Sequence, residues 1–183
     1  MAEMENQVIR DWFAGHENEV IALKDALWSN PELSFYEYDA CRNTTQFMRE
    51  AGFAVETFNI SPNGGEPNTL VARYGEGKPV IGIMGEFDAL PDLGQDAVSC
   101  YSKKEGPGHG CGHCQMLAAT ASAAVALKKT MQEENLKGTV VFFGCPAEEV
   151  GHGKAELIQM GYLKDVDVVL NWHPQPFDPT PSE

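Results

Sequence analysis

Basic residues are scarce in this sequence. Lys and Arg number 13 against 27 Asp and Glu, giving a net charge of −14. The only basic clusters are Lys103-Lys104 and the scatter near Lys128-Lys129. Phosphate backbones are bound by clustered cations, so the balance argues against a nucleic-acid partner, and the acidity itself serves solubility. Long apolar runs are missing as well. None approaches the ~18 residues that a bilayer crossing needs, so no membrane association is expected. Met1 to Asn6 lacks the basic region and apolar core of a signal peptide, and the expected compartment is the cytoplasm. Cysteines are few and odd in number, at five, which fits free thiols or metal ligands better than a disulfide framework. There is no internal repeat and no clear linker. A chain of 183 residues, 43% apolar and 22% charged, fits one ordinary globular domain with a sizeable core.

Unusual chemistry is concentrated in one stretch, Gly108-His109-Gly110-Cys111-Gly112-His113-Cys114. Adjacent carboxylates, Glu148 and Glu149, follow in Cys145-Pro146-Ala147-Glu148-Glu149, and His173 follows an apolar run. Thiol and imidazole ligands beside a carboxylate pair point to a divalent-metal hydrolase site. A Cys-Gly-His-Cys tetrad is also a dithiol redox motif.

Helical spacing of Ile9, Trp12, Phe13, Val20, Leu23 and Leu27 predicts a helix from Glu5 to Trp28. Ser29-Asn30-Pro31 stops it, because a residue before proline is pushed out of the α region. A second helix is predicted over Tyr36 to Ala51, stopped by Gly52. Strands are expected at Phe53 to Phe58 and Thr69 to Tyr74, with Gly75 to Lys78 as a tight connection. Pro79 to Met84 is a continuous apolar run, as in a strand buried on both faces, and it ends in Gly85-Glu86-Phe87-Asp88. Pro91 to Gly108 reads as a long polar loop serving a site. A helix over Cys111 to Thr130, a buried strand over Gly138 to Phe143, a short helix over Lys154 to Met160 and a last strand over Val166 to Leu170 complete the order. The proline-rich end beyond His173 is expected to form no packed element. Alternating helices and strands place the chain in the α/β class. Three buried strands with functional residues at the same sheet edge would bring those residues together, where open α/β sheets place ligand chemistry.

Each element has an ordinary structural alternative: a turn for Asp88, a solvated helix start for Glu148-Glu149, a hydrogen-bonded strand end for His173. His16, His152, Cys41, Cys100 and Cys145 read as packing or surface residues. The dithiol reading lacks the aromatic residue that often precedes the first Cys. An eighteen-residue loop also separates the tetrad from the preceding strand. It leaves Glu148, Glu149 and His173 without work. A structural zinc site on Cys111, His113 and Cys114 crowds three ligands into four residues and has no obvious fourth.

Four blocks carry a resemblance: Gly85-Glu86-Phe87-Asp88-Ala89-Leu90-Pro91, Gly108 to His113, Gly144-Cys145-Pro146-Ala147-Glu148-Glu149 and Trp172-His173-Pro174. In this order and near this spacing they resemble the metal-dependent amidohydrolases of the aminoacylase and carboxypeptidase superfamily. Within it they resemble the branch containing p-aminobenzoyl-glutamate hydrolase B subunits. Trp28-Ser29-Asn30-Pro31-Glu32-Leu33-Ser34-Phe35 is similar to that branch's N-terminal signature. The resemblance implies an open mixed sheet flanked by helices, an incomplete zinc-peptidase-like domain. It also implies hydrolysis of an amide in N-acyl- or aminobenzoyl-amino acids or dipeptides, with a small-molecule amide as partner. Cys111, His113, Glu149 and His173 become ligands of one or two divalent ions, Zn or Mn. Glu148 becomes the general base and Asp88 an acid that orients the site. Cys114 stands where the family carries Asp or Asn. Family members are longer, are homo- or hetero-oligomeric, and carry a lid and dimerisation domain and a final ligand His after the block matching His173. Glu183 ends this sequence ten residues after His173, so residues 1–183 are expected to be the N-terminal part of a catalytic domain without its lid. A hydrolase and a catalytically inactive remnant that binds metal or a partner are therefore both open, as is the dithiol oxidoreductase.

Overall fold

The computed structural model describes residues 2–174, with side chains from residue 7. The expected proline-rich end past Pro174 lies outside the described residues. Helix α1 spans Ala2–Ser29 and α2 Tyr38–Glu50; strands β1 (Ala54–Phe58), β2 (Thr69–Glu76) and β3 (Val80–Glu86) follow. Then come α3 (His113–Glu133), β4 (Gly138–Cys145), α4 (Gly153–Gln159) and β5 (Val168–Leu170). The five strands form one sheet in the order β1-β2-β4-β3-β5. β1 and β4 run antiparallel to β2, whereas β3 runs parallel to both β4 and β5. This is a mixed α/β sheet flanked by helices. No described helix is long and apolar enough to cross a membrane.

Every residue of β4 is buried, and alternation along it divides the interior into two cores. Val140 and Phe142 face a large cluster with Trp12, Leu27, Met48, Leu70 and Leu117 from α1, α2, β2 and α3. Val141, Phe143 and Cys145 face a smaller one with Val71, Val80, Met84 and Leu157. Helix α3 makes the crossover between the parallel pair β3 and β4, and Glu86 and Cys145 are register partners at their carboxyl ends. The loop before α3 is tied down by ladder contacts between Leu90 and Gly108 and between Gln95 and Lys103.

β2 runs on through Gly75 and Glu76, which were expected in the connection to β3, and two further expectations change. The last strand is shorter than Val166 to Leu170 and is not buried: Val168, Val169 and Leu170 are all exposed. It is an edge strand with β3 on one side only, and Val166 packs into the smaller core instead. Helix α3 begins at His113 rather than Cys111, because Gly112 adopts φ +85°, which no α-helical residue shares. Cys111 is thereby left in the loop.

Gly153 opens α4 against the turn that follows β4. A Cβ there would stand 1.9 Å from the Pro146 carbonyl oxygen, whereas around Gly15 in α1 nothing lies within 4 Å. Gly153→Ala is expected to destabilise the fold by about 1–3 kcal/mol through overpacking. Gly15→Ala is expected to stabilise it by about 0.5–1 kcal/mol through helix propensity. Urea melts of the two variants check both signs.

Candidate metal centre

Parallel strands aim their carboxyl ends at one sheet edge, and the polar side chains gather there. Glu86 is the last residue of β3, with Asp88 two residues further along the same face. His113 is the first residue of α3, Glu148 and Glu149 lie in the turn after β4, and His173 follows β5. His113 is fully buried. Its Nδ1 lies 2.8 Å from the Asp88 backbone oxygen and therefore donates to it. That leaves Nε2 facing Glu86 Oε2 at 3.0 Å, Glu148 Oε2 at 3.7 Å and Glu149 Oε1 at 3.8 Å. His173 is set in the same manner, with Nδ1 2.8 Å from the Pro174 oxygen and Nε2 3.3 Å from Cys111 Sγ. The two imidazoles stand edge to face, 5.5 Å apart. Tying Nδ1 to a carbonyl presents Nε2 as a ligand, the usual arrangement at metal sites.

The six residues singled out in the sequence thus share one locality. Ligand atoms of Cys111, His113 and His173 lie within 4.8 Å of one another, and so do those of Glu86, His113 and Glu148. Asp88 holds the cluster from behind: Ser34 Oγ and the Glu149 backbone N–H donate to its Oδ2 at 2.8 and 3.0 Å.

The cluster is short of positive charge. Glu86 Oε2, Asp88 Oδ1, His113 Nε2 and Glu149 Oε1 are buried atoms without a hydrogen-bond partner. Leaving such groups unpaired is costly. Burial alone would lower the His113 pKa, but Asp88 and Glu86 outweigh it and push it up to about 10. Burial, followed by Glu149, Glu148 and Glu86, pushes the Cys111 thiol up to about 12. Burial works against ionisation of Glu86, yet His113 and Lys154 hold its carboxyl below the usual range. The His113 and Cys111 shifts both report a surplus of neighbouring carboxylates, which a divalent cation would neutralise. The donor set of thiolate, imidazole and carboxylate suits such an ion.

Glu86, Lys154 and Glu37 complete the locality and were not singled out in the sequence. Glu86 is 2% exposed and is bonded by Lys154. Its one sequence signal is its spacing of two from Asp88 at the end of an apolar strand. Lys154 arrives from α4 and has no sequence signal. Glu37 is wholly buried, and the Ala147 N–H donates to its Oε1 at 2.6 Å.

Burial pushes the Glu37 carboxyl up to about 7 from 4.5, against the pull of the Ala147 bond. The folded chain therefore retains a proton that the unfolded chain releases above pH 4.5. The associated stability is present in full below that pH and is lost as pH rises through 7. Glu37→Gln removes this dependence, so its stability relative to the native chain is expected to rise by about 3 kcal/mol between pH 4.5 and 8. Urea melts of both proteins at those two pH values provide the check.

Cys114 is 1% exposed and belongs to the larger apolar core, and burial pushes its thiol up to about 11. A dithiol centre needs an activated nucleophile, and Cys111, which would supply it, has its thiol pushed up rather than down, so the site does not favour the redox reading. His16 stacks on Trp12 and bonds its carbonyl, and His152 rests against Phe35.

Comparisons with known proteins bear on the family and the fold. The model of Peptidase family M20/M25/M40 matches residues 82–182. A p-aminobenzoyl-glutamate hydrolase subunit of Escherichia coli (strain K12) is 40% identical over 158 residues, covering 85% of this chain and 32% of that protein. Xaa-Arg dipeptidase of Homo sapiens is 33% identical over 165 residues, covering 84% of this chain and 35% of its own length. The chain thus spans about a third of the curated relatives it matches. Among solved structures, the Bacillus subtilis YXEP protein, a dinuclear metal-binding peptidase, superposes with a TM-score of 0.72 at 30% identity. It covers 89% of this chain and 44% of its own. With the family model matching more than half of the sequence, and its residues converging on a cation-seeking cluster, the chain belongs to Peptidase family M20/M25/M40.

Proposed function

We propose that the chain carries the metal-binding part of an amidohydrolase, one that cleaves the amide of N-acyl- or aminobenzoyl-amino acids or of dipeptides. The observation that carries this reading is the convergence at one sheet edge of the ligand atoms of Cys111, His113 and His173 and of Glu86, His113 and Glu148, each set within 4.8 Å of one another, beside the buried, unpartnered Glu149 Oε1. Residues 1–183 are read as the N-terminal part of a catalytic domain. The relatives' names, a hydrolase of p-aminobenzoyl-glutamate and a dipeptidase of Xaa-Arg, support the substrate class.

Cys111, His113, Glu149 and His173 would hold one or two divalent ions. A thiolate ligand favours zinc, and manganese is the alternative. When bound, such an ion polarises the scissile carbonyl and lowers the pKa of a neighbouring water. The side chains divide the remaining work. Glu149 keeps a buried, unpartnered oxygen, as suits a ligand. Glu148 has a side chain 36% exposed against 22% for Glu149, so it faces the open side where a substrate arrives. There its carboxylate takes the proton of the attacking water and delivers it to the leaving nitrogen. Asp88 accepts from His113 through its backbone oxygen and braces Glu149 through its side chain, so it orients both.

The test is an amide-hydrolysis assay of the metal-loaded chain on a panel of N-acyl- and aminobenzoyl-amino acids, aminobenzoyl-glutamate among them. Amine release that depends on added Zn²⁺ or Mn²⁺ and stops with chelator is the expected result. Stoichiometric metal binding without release from any member of the panel would overturn the hydrolase reading in favour of a metal-binding chain without turnover.

A further inference from the structure

The segment around Glu32-Leu33-Ser34-Phe35 contributes no ligand and no base, yet it reaches the centre from two sides. We propose that Glu37 is a positioning residue for the metal centre, its carboxylate fixing the backbone turn that aims Glu148 and Glu149. The inference rests on the metal reading above.

Ala147 is fully buried and has φ +52°, a left-handed conformation that costs energy for a residue with a Cβ. Something must hold it there. Glu37 Oε1 accepts the Ala147 N–H at 2.6 Å across 110 positions of sequence. The other carboxylate oxygen lies 3.4 Å from Asn68 Nδ2, which donates to it. Beyond Ala147 the turn closes on itself, with His152 N–H donating to the Ala147 oxygen and Gly151 N–H to the Glu148 oxygen. At its far side the Glu149 N–H is held by Asp88 Oδ2, and Ser34 Oγ donates to that same oxygen. The glutamate pair is thus suspended between two carboxylates. One is Glu37 itself, and the other is steadied by Ser34, three residues earlier in the chain. Phe35 between them takes φ +75°, which lets a short segment serve both anchors. What Glu37 supplies is reach: an acceptor oxygen on a side chain long enough to meet the Ala147 N–H inside the core.

A residue that merely stabilises the fold would not be coupled to one particular ligand. Zn²⁺ affinity of the full chain, measured by chelator competition, separates the two roles in a double-mutant cycle of Glu37→Leu and Glu149→Gln. Glu37→Leu is expected to weaken Zn²⁺ binding about tenfold or more, the range for residues that orient a ligand. In the Glu149→Gln background it should add no more than about twofold, because the ligand it aims is already gone. Glu37→Gln keeps an oxygen for the Ala147 N–H and is expected to bind Zn²⁺ nearly as the native chain does. Glu37→Asp keeps the acid but not the reach, should lose affinity as Glu37→Leu does, and replaces it in the cycle if the leucine variant does not fold. The inference is overturned if Glu37→Asp binds as tightly as native, if Glu37→Gln loses as much as Glu37→Asp, or if the two losses add in full. A native chain that binds no Zn²⁺ overturns the metal reading itself and takes this inference with it.

Discussion

Glu148→Gln is expected to lower metal-dependent amide hydrolysis by about 10²–10⁴-fold, the usual contribution of a general acid–base group, with little change in divalent-ion affinity. The substitution keeps shape and hydrogen bonding but cannot take or give a proton. Glu148 and Glu149 stand at nearly equal distances from His113 Nε2, 3.7 and 3.8 Å, so distance does not divide their roles. Burial does, since Glu149 Oε1 is the enclosed, unpartnered oxygen and Glu148 the more open side chain. Glu149→Gln should therefore show the opposite pattern, weakening the ion about tenfold or more and losing activity only as the ion is lost. Measured kcat and ion Kd for both variants decide it. A loss of affinity in Glu148→Gln with normal turnover at saturating metal would exchange the two assignments.

Affinity for Zn²⁺ is expected to climb about a hundredfold per pH unit between about pH 6 and 9. Without the ion, His113 is held protonated by Asp88 and Glu86 despite its burial, up to about 10. Cys111 keeps its proton up to about 12, through burial and the neighbouring glutamates. Both atoms must give up a proton to become ligands, so two protons compete with each ion across that range. Lower pH favours the protonated, metal-free centre, and binding therefore weakens as pH falls. In weakly buffered solution near neutrality, about two protons should appear per ion bound. Cys111→Ser should reduce this to about one and halve the logarithmic slope. Affinity independent of pH would mean that neither group is a ligand.

Much of the fold was visible in the sequence because burial leaves periodic marks. The continuous apolar runs of β3 and β4 read as central strands, and the structure buries every residue of β4. The glycine-flanked Cys111 and His113 stood out because few structural roles put a thiol and an imidazole two residues apart. Other residues were hidden for identifiable reasons. Glu37 sits just before α2, where acids are common for their effect on the helix dipole, and nothing in its sequence neighbours announces a partner 110 residues away. Glu86 was visible only as a carboxylate two residues before Asp88 at the end of an apolar strand, and Lys154 meets it from 68 positions further along the chain. The exposure of β5 was also hidden: its apolar residues resemble a buried strand, and only the strand order places them at the edge.

Substitution with Co²⁺ tests the central claim most directly, because a thiolate bound to cobalt gives a sulfur-to-metal charge-transfer band. Titration of the full chain should produce that band, saturating at one or two ions per chain. Cys111→Ser should abolish the band, and substituting His113, Glu149 or His173 should each weaken Co²⁺ binding. A titration with no charge-transfer band, or one left unchanged when Cys111 and His113 are replaced, would contradict the account.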